Sequence, residues 1–456
     1  MTGRNGNMGN WKLMVENYGK IESAEIEMAP LTLFVGDNNS GKSYLLSLLW
    51  GIENLGSQVI LGNNFIETEQ AQSLGKWIWK QIDIAIEKKK NIVGIGNISD
   101  MLEKLLNIQL EKNKNELAKK IFNSENVEIG KLTIKFINTK KLNIYFDMQE
   151  DESMYIYVNK HGNRMFIDDI KQKYIQYRET KALEILILWL YSSIMDIAMD
   201  EMNGEGTIYL PAARTGFMLT KDIINKVGRK NTFNISSEKE IITPFVRPIN
   251  QFLDIMGDLS IENTGSGKAI RLVESLEREI VDGTVELSNM PNKEIQYVPS
   301  GYEKGIPLRL ASAVVSELSP FILILKHKAN IKKFCYEEPE MCLHPQLQYK
   351  MGKIIGRTVN SGIGMVITTH SDIILQHINN MIKLSKHENR EEICKNFGYT
   401  EQDLLACENV KIYQLEAKNG KRTEVKELLC GENGFAVPTF NNALNIIMDE
   451  SCEIQG

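Results

Sequence analysis

Gly36-Asp37-Asn38-Asn39-Ser40-Gly41-Lys42-Ser43 is the stretch that decides how this chain is read. It fits G-x-x-x-x-G-K-[ST], a glycine-bounded turn whose backbone N–H groups, with the N-terminus of the next helix, face anionic oxygens. Its neighbours fit too. Leu31 to Val35 leads in as an apolar strand, and Tyr44 to Ile52 leads out as a helix. Glycine lets the backbone curl without Cβ clashes. On this reading Asn38, Asn39, Ser40, Gly41, Lys42, Ser43 and Tyr44 form a cradle for phosphates. Lys42 reaches the β- and γ-phosphates, and the Ser43 hydroxyl completes a Mg²⁺ shell. The bland alternative is a plain glycine turn, which does not call for a lysine and a serine at that spacing.

Working outward, Phe334-Cys335-Tyr336-Glu337-Glu338-Pro339-Glu340 puts acids at the end of an apolar strand, and Val366-Ile367-Thr368-Thr369-His370-Ser371 puts a histidine at the end of another. Open α/β sheets bind ligands at the carboxyl ends of their strands. Glu337 is then the candidate Mg²⁺ residue, Glu338 the general base for an attacking water, and His370 a hydrogen-bond partner of the γ-phosphate or that water. The acidic pair alone reads as a solvated turn and the histidine alone as a structural residue; the cradle in the same chain favours the catalytic reading. His344 lies just past the acids, either in a loop meeting a second subunit or at a helix entry.

The 456 residues predict two or three packed units, and 43% hydrophobic with 25% charged residues excludes a collagen-like, disordered or disulfide-scaffold chain. A net charge of -6 and a pI of about 5.8 disfavour a protein held to nucleic acid by charge alone. Short runs such as Lys88-Lys89-Lys90 and Lys140-Lys141 read as solvated faces. The six cysteines form no CxxC pair, which fits reduced thiols in a cytoplasmic protein. Met1 to Asn10 lacks the apolar stretch of a signal peptide, and Ala182 to Met199 carries too many polar residues for a membrane span. Strand–helix alternation from Phe334 to Leu384 predicts a parallel core with helical crossovers. Strands are expected over Lys131 to Ile137, Leu142 to Asp147 and Met154 to Val158, long helices over Asp169 to Met202, a closing hairpin over Val410 to Leu429 and a last helix over Pro438 to Met448.

These motifs together resemble a known family. Val15-Glu16-Asn17-Tyr18-Gly19-Lys20-Ile21, the strand Ala24 to Met28, and Leu31 to Ser43 look like the N-terminus of SMC/RecF-type ABC ATPases. Glu337-Glu338-Pro339-Glu340, Leu343-His344-Pro345 and Thr368-Thr369-His370-Ser371 resemble the C-terminal half. The EEPE variant with Leu-His-Pro, and Leu210-Pro211-Ala212-Ala213-Arg214, are similar to the ATPase domains of OLD-family proteins and Septu-type phage-defence ATPases. The resemblance covers about residues 11 to 55 and 284 to 385.

The resemblance implies an α/β P-loop ABC-type ATPase head, a mixed sheet plus a parallel core, with helical insertions forming an arm. An N-terminal lobe is expected over 1–211 with a helical insertion near 67–123, an arm over 212–282 and a C-terminal lobe over 283–456. It further implies two ATPs, each with Mg²⁺, sandwiched in a homodimer or larger homo-oligomer. Lys42 and Ser43 then bind phosphate and metal, Glu337 takes the acidic metal position, Glu338 is the base and His370 the switch histidine. The signature turn is replaced by Ser312-Ala313-Val314-Val315-Ser316-Glu317 without glycine, leaving Ser312 or Ser316 for the trans contact. That departure, and glutamate for the usual aspartate at position 337, imply slow or conditional hydrolysis. No Toprim nuclease domain is visible after His370. The leading functional expectation is therefore an ATPase that regulates a separate effector nuclease in anti-phage defence, touching nucleic acid directly or through that partner. The alternative is a RecF/SMC-like DNA-repair or DNA-binding ATPase. A transporter ATPase is disfavoured, and no membrane contact is expected.

Overall fold

The structure is a computed structural model that describes residues 11–60, 65, 67–88, 91–94, 98–137, 143–150, 153–158, 164–167, 188–190, 193, 207–221, 245–288, 294–418, 422–431, 433–436, 449–450 and 452–453. The helix expected over Pro438 to Met448 and most of that over Asp169 to Met202 lie outside these residues. In chain order come strands β1 (Trp11–Tyr18), β2 (Ile21–Glu27) and β3 (Leu31–Gly36), helices α1 (Lys42–Ile60) and α2 (Glu69–Lys88), β4 (Ile92–Gly94), and α3 (Ser99–Phe122). Strands β5 (Ile129–Phe136), β6 (Asn143–Met148), β7 (Met154–Val158), β8 (Arg164–Ile167) and β9 (Thr207–Leu210) follow, then α4 (Arg247–Asp258) and α5 (Gly267–Leu276). The rest is β10 (Gly283–Leu287), β11 (Ile295–Pro299), β12 (Ile306–Pro307), α6 (Ala313–His327), β13 (Lys333–Glu337), α7 (Pro345–Asn360), β14 (Gly364–Thr368), α8 (Asp372–Ser385), α9 (Arg390–Phe397), β15 (Val410–Lys418) and β16 (Arg422–Leu428).

The chain divides into two compact units, one of Ala29–Ser47 and Thr207–Gly456 with the first six residues, the other of Asn7–Met28 and Leu48–Gly206. In the second, β1 pairs antiparallel with both β2 and β5. Helix α3 is fixed to β5 by Asn107, whose side chain donates to the Ile134 carbonyl at 2.8 Å and accepts the Ile134 N–H at 2.7 Å. A separate antiparallel sheet runs β4-β6-β7-β8.

The first unit holds the parallel core that the strand–helix alternation predicts. Strands β15, β3, β14, β13 and β9 are neighbours in that order and all parallel, with β16 antiparallel at the edge of β15. Strands β13 and β14 are buried at every position, which is why they read as unbroken apolar runs. Phe321 of α6 packs edge-on against Phe334 at 5.1 Å between ring centroids and leans on Tyr336 at 5.4 Å. The fold class is the mixed α/β one expected.

The stretch 212–282, read as an arm, behaves differently in its described parts. Helices α4 and α5 put Phe252, Leu253 and Met256, then Leu272, Val273 and Leu276, into the core cluster of the first unit. Their apolar residues recur at helical spacing, so these helices bury a stripe against the core. Residues 222–244 of that stretch lie outside the described part.

One packing feature predicts a pH effect. His377 on α8 is 2% exposed and stacks on Tyr349 at 3.8 Å. Its Nδ1 donates to the Tyr349 carbonyl at 2.7 Å, so its Nε2 accepts from the Tyr399 hydroxyl at 2.9 Å. Burial, helped by the Lys353 charge and opposed by Asp403, lowers its pKa to about 4. An unfolded histidine binds a proton near pH 6.5, so between about 6.5 and about 4 the unfolded chain holds the extra proton. Stability is therefore full above pH 6.5 and drains as pH falls, by on the order of 3 kcal/mol at most. Urea midpoints at pH 7 and pH 4.5 are expected to show this loss, and His377→Gln to flatten it; equal slopes in both proteins would refute the assignment.

Candidate functional site

The site starts where β3 runs out. Gly36 has φ +131, and a Cβ there would stand 2.2 Å from the Leu415 carbonyl oxygen of β15, so the neighbouring backbone demands glycine. Asn39 (φ 60) and Gly41 (φ 102) then take left-handed turns that curl the loop. The Leu45 N–H reaches the Gly41 carbonyl at 3.0 Å and begins α1. Asn38, Asn39, Ser43 and Tyr44 are exposed, whereas Ser40 is buried with no hydrogen-bond partner for its hydroxyl. Lys42 is buried and lies back over the loop, its Nζ donating to the carbonyls of Gly36 at 2.9 Å and Asp37 at 2.7 Å. Burial lowers its pKa to about 8, against the opposing charges of Glu338, Asp37 and Glu340.

Register brings the other two segments to the same sheet edge. Glu337 lies opposite Thr368, and Thr368 opposite Phe34, so β13, β14 and β3 end side by side. Glu338 turns out of β13 with φ 42, its N–H held by the Thr368 carbonyl at 2.9 Å. Its carboxyl is raised above the usual range by burial first and the Glu337 charge second, with Lys42 and Arg214 pulling the other way. His370 Nε2 stands 3.9 Å from Glu338 Oε1, too far for a direct hydrogen bond. Burial and the Lys42 charge lower the His370 pKa, so the ring is neutral near pH 7. The backbone N–H of His370 donates to Glu340 Oε1 at 2.6 Å, and Glu340 Oε2 is buried without a partner. Ser371 caps α8 through the Ile374 N–H at 3.0 Å and donates to Gln348 Oε1 at 2.7 Å, fixing the His370 segment from behind. Glu337 is buried, with Oε2 accepting the Ala212 N–H at 2.9 Å. Lys42, Glu338 and His370 thus share one neighbourhood, with Asp37 and Glu340 beside them.

Over residues 11–375 the sequence matches the AAA ATPase domain family. The chain belongs to that family. Among solved structures it is similar to an SMC head bound to the C-winged helix domain of ScpA, at 15% identity and TM-score 0.38, covering 92% of this chain and 97% of that one. It is also similar to the SMC head domain from Thermotoga maritima, at 11% identity and TM-score 0.33, covering 92% and 98%. A third is an Smc head domain with an extended coiled coil, bound to the C-terminal domain of ScpA, derived from Pyrococcus furiosus, at 13% identity and TM-score 0.35, covering 98% and 99%. The comparison with curated proteins finds no match. Among the described residues of this AAA ATPase domain, no helix is long and apolar enough to cross a membrane.

The signature-like stretch separates into two unlike serines. Ser312 is exposed and caps α6, its hydroxyl accepting the Val315 N–H at 3.4 Å. Ser316 is 2% exposed and turns inward, donating to the Leu308 carbonyl at 3.4 Å. The expectation of a trans contact from Ser316 is therefore corrected: one turn into a helix buried nearly all round, its hydroxyl cannot meet a second molecule.

Sequence reasoning missed a buried connector. Arg214, after β9, is 0% exposed and pairs with Glu317 of α6, Nη2 to Oε1, at 2.8 Å. Its Nε donates to the Glu317 carbonyl at 3.2 Å, and Nη1 to the carbonyls of Pro211 and Glu337, both at 2.7 Å. Nη2 also donates to the Glu338 carbonyl at 3.1 Å. Glu317 is completed by Thr215, whose N–H and hydroxyl reach Oε2 at 2.8 and 2.6 Å. Two signals were available: Arg214 closes the segment Leu210 to Arg214 that carries part of the family resemblance, and Glu317 is an isolated glutamate in the apolar helix α6, which needs a buried partner.

Proposed function

We propose that this AAA ATPase domain binds ATP with Mg²⁺ and hydrolyses it, and that two copies close around the nucleotides to control a separate effector nuclease in anti-phage defence. The observation that supports the chemistry is the meeting of Lys42, Glu338 and His370 at the ends of β3, β13 and β14. The loop 38–44 offers backbone N–H groups and the start of α1 to the phosphates. Lys42 leaves the Gly36 and Asp37 carbonyls for the β- and γ-phosphates. The Ser43 hydroxyl and Glu337 carboxylate are hard oxygen donors of the kind Mg²⁺ takes, so the residues present fit that ion. Bound there, Mg²⁺ would neutralise charge developing on the phosphates. Glu338, its basicity raised by burial, accepts the proton of the attacking water. Neutral His370 orients that water or the γ-phosphate, and Ser312, exposed at the head of α6, reaches the partner copy's nucleotide.

The defence role rests on the resemblance of Glu337-Glu338-Pro339-Glu340 and Leu343-His344-Pro345 to the OLD and Septu-type group. Light-scattering mass of the Glu338→Gln protein, with and without ATP, tests the dimer: a doubled mass in ATP is expected, and an unchanged mass would sink it. Salt-sensitive binding of duplex DNA by the isolated protein in ATP would favour the RecF/SMC-like reading instead.

A further inference from the structure

We propose that Arg214 is a positioning residue that ties the signature-like helix α6 to the peptide groups carrying Glu337 and Glu338. Every N–H of its guanidinium is spent, and the acceptors lie on three segments: the β9 exit at Pro211, α6 at Glu317, and the end of β13 at Glu337 and Glu338. Lysine cannot do this, because an ammonium offers three donors on one point rather than a planar fork.

The hold matters most at Glu338. Its backbone sits at φ 42, a conformation that L side chains seldom adopt. The Thr368 carbonyl fixes it from the N–H side and Arg214 from the carbonyl side. The same β9 exit pins the Glu337 carboxylate through the Ala212 N–H. A shift of Glu317 therefore pulls on the two carbonyls that aim both acids. Glu317 lies just past one turn from Ser312, the exposed head of α6. Contact made at Ser312 is in this way mechanically connected to the angle at which Glu338 faces the nucleotide.

The functional consequence rests on the ATPase reading above; the mechanical link does not.

Two variants test it. Arg214→Met/Glu317→Leu removes both charges together and, with them, the bonds that Thr215 and the Glu337 and Glu338 carbonyls make to this pair, while Arg214→Lys keeps the charge and loses the fork. In both, kcat is expected to fall at least ~30-fold, as a misaimed catalytic group does. The Kd for a fluorescent ATP analogue is expected to stay within ~3-fold, since the loss is confined to the transition state. Hydrogen exchange at the amides of 337, 338 and 340–342 is expected to quicken at least ~10-fold more than at amides elsewhere in the chain. A merely structural role would quicken exchange throughout the chain and lower the ATP affinity along with kcat. Parental kcat in a folded variant, or unchanged exchange at 337–342, would overturn the proposal. If the double variant does not fold, Arg214→Lys carries the test. A parent protein without ATP turnover would instead remove the ATPase reading, and hydrogen exchange would then decide the role of Arg214 by itself.

Discussion

Glu338→Gln is expected to reduce ATP turnover by ~10²–10⁴-fold, the range for loss of a general base, while ATP still binds with close to parental affinity. The substitution keeps side-chain length and the φ 42 turn, and Arg214 and Thr368 continue to grip the backbone. What disappears is a carboxylate whose basicity is raised by burial and by the Glu337 charge. The parent should accordingly lose kcat as pH falls through the raised pKa of this group, because only the ionised form accepts a proton. Steady-state phosphate release beside equilibrium binding separates the two quantities. Turnover at the parental rate would remove Glu338 from the chemistry.

The second large effect concerns Lys42. Lys42→Ala is expected to weaken ATP binding by at least ~30-fold, since truncating one member of a buried charged contact costs 2 kcal/mol or more. The pH dependence runs opposite to that of Glu338. Burial holds Lys42 at about 8, so the free protein carries the ammonium below that pH and a neutral amine above it. A polyanion prefers the ammonium, and ATP affinity should fall about tenfold per pH unit above 8 until the pKa of the complex is reached. Titration calorimetry at pH 7, 8 and 9 reads this directly. A Kd independent of pH over that range, or unchanged in Lys42→Ala, would show that the side chain stays on the Gly36 and Asp37 carbonyls.

The three clustered segments were legible in the sequence because parallel strands end on one edge. Once Leu31 to Val35, Phe334 to Tyr336 and Val366 to Thr368 are read as neighbouring strands, their polar followers must meet. Other parts were not legible for specific reasons. Arg214 and Glu317 are 103 residues apart, and nothing local ties an arginine after one strand to a glutamate inside an apolar helix. The bond from the His370 N–H to Glu340 depends on side-chain direction after a left-handed turn, which spacing does not encode. Ser316 misled because a serine near a helix start reads as surface, whereas α6 is buried on nearly every side. Within the stretch 212–282, helices α4 and α5 carry an amphipathic spacing, but spacing alone does not say which neighbour their apolar stripes meet.

The backbone contact between Gly36 and Leu415 has a further consequence for biosynthesis. The strand that carries the phosphate loop is made long before both of its sheet neighbours, Gly364–Thr368 and Val410–Lys418. Until they emerge, the apolar run Leu31 to Val35 lacks the ladder it joins in the folded chain. Pairings of such long sequence separation form slowly and leave apolar surface uncovered meanwhile. The nascent chain thus has to shelter its own loop-bearing strand until the closing hairpin arrives to seal it.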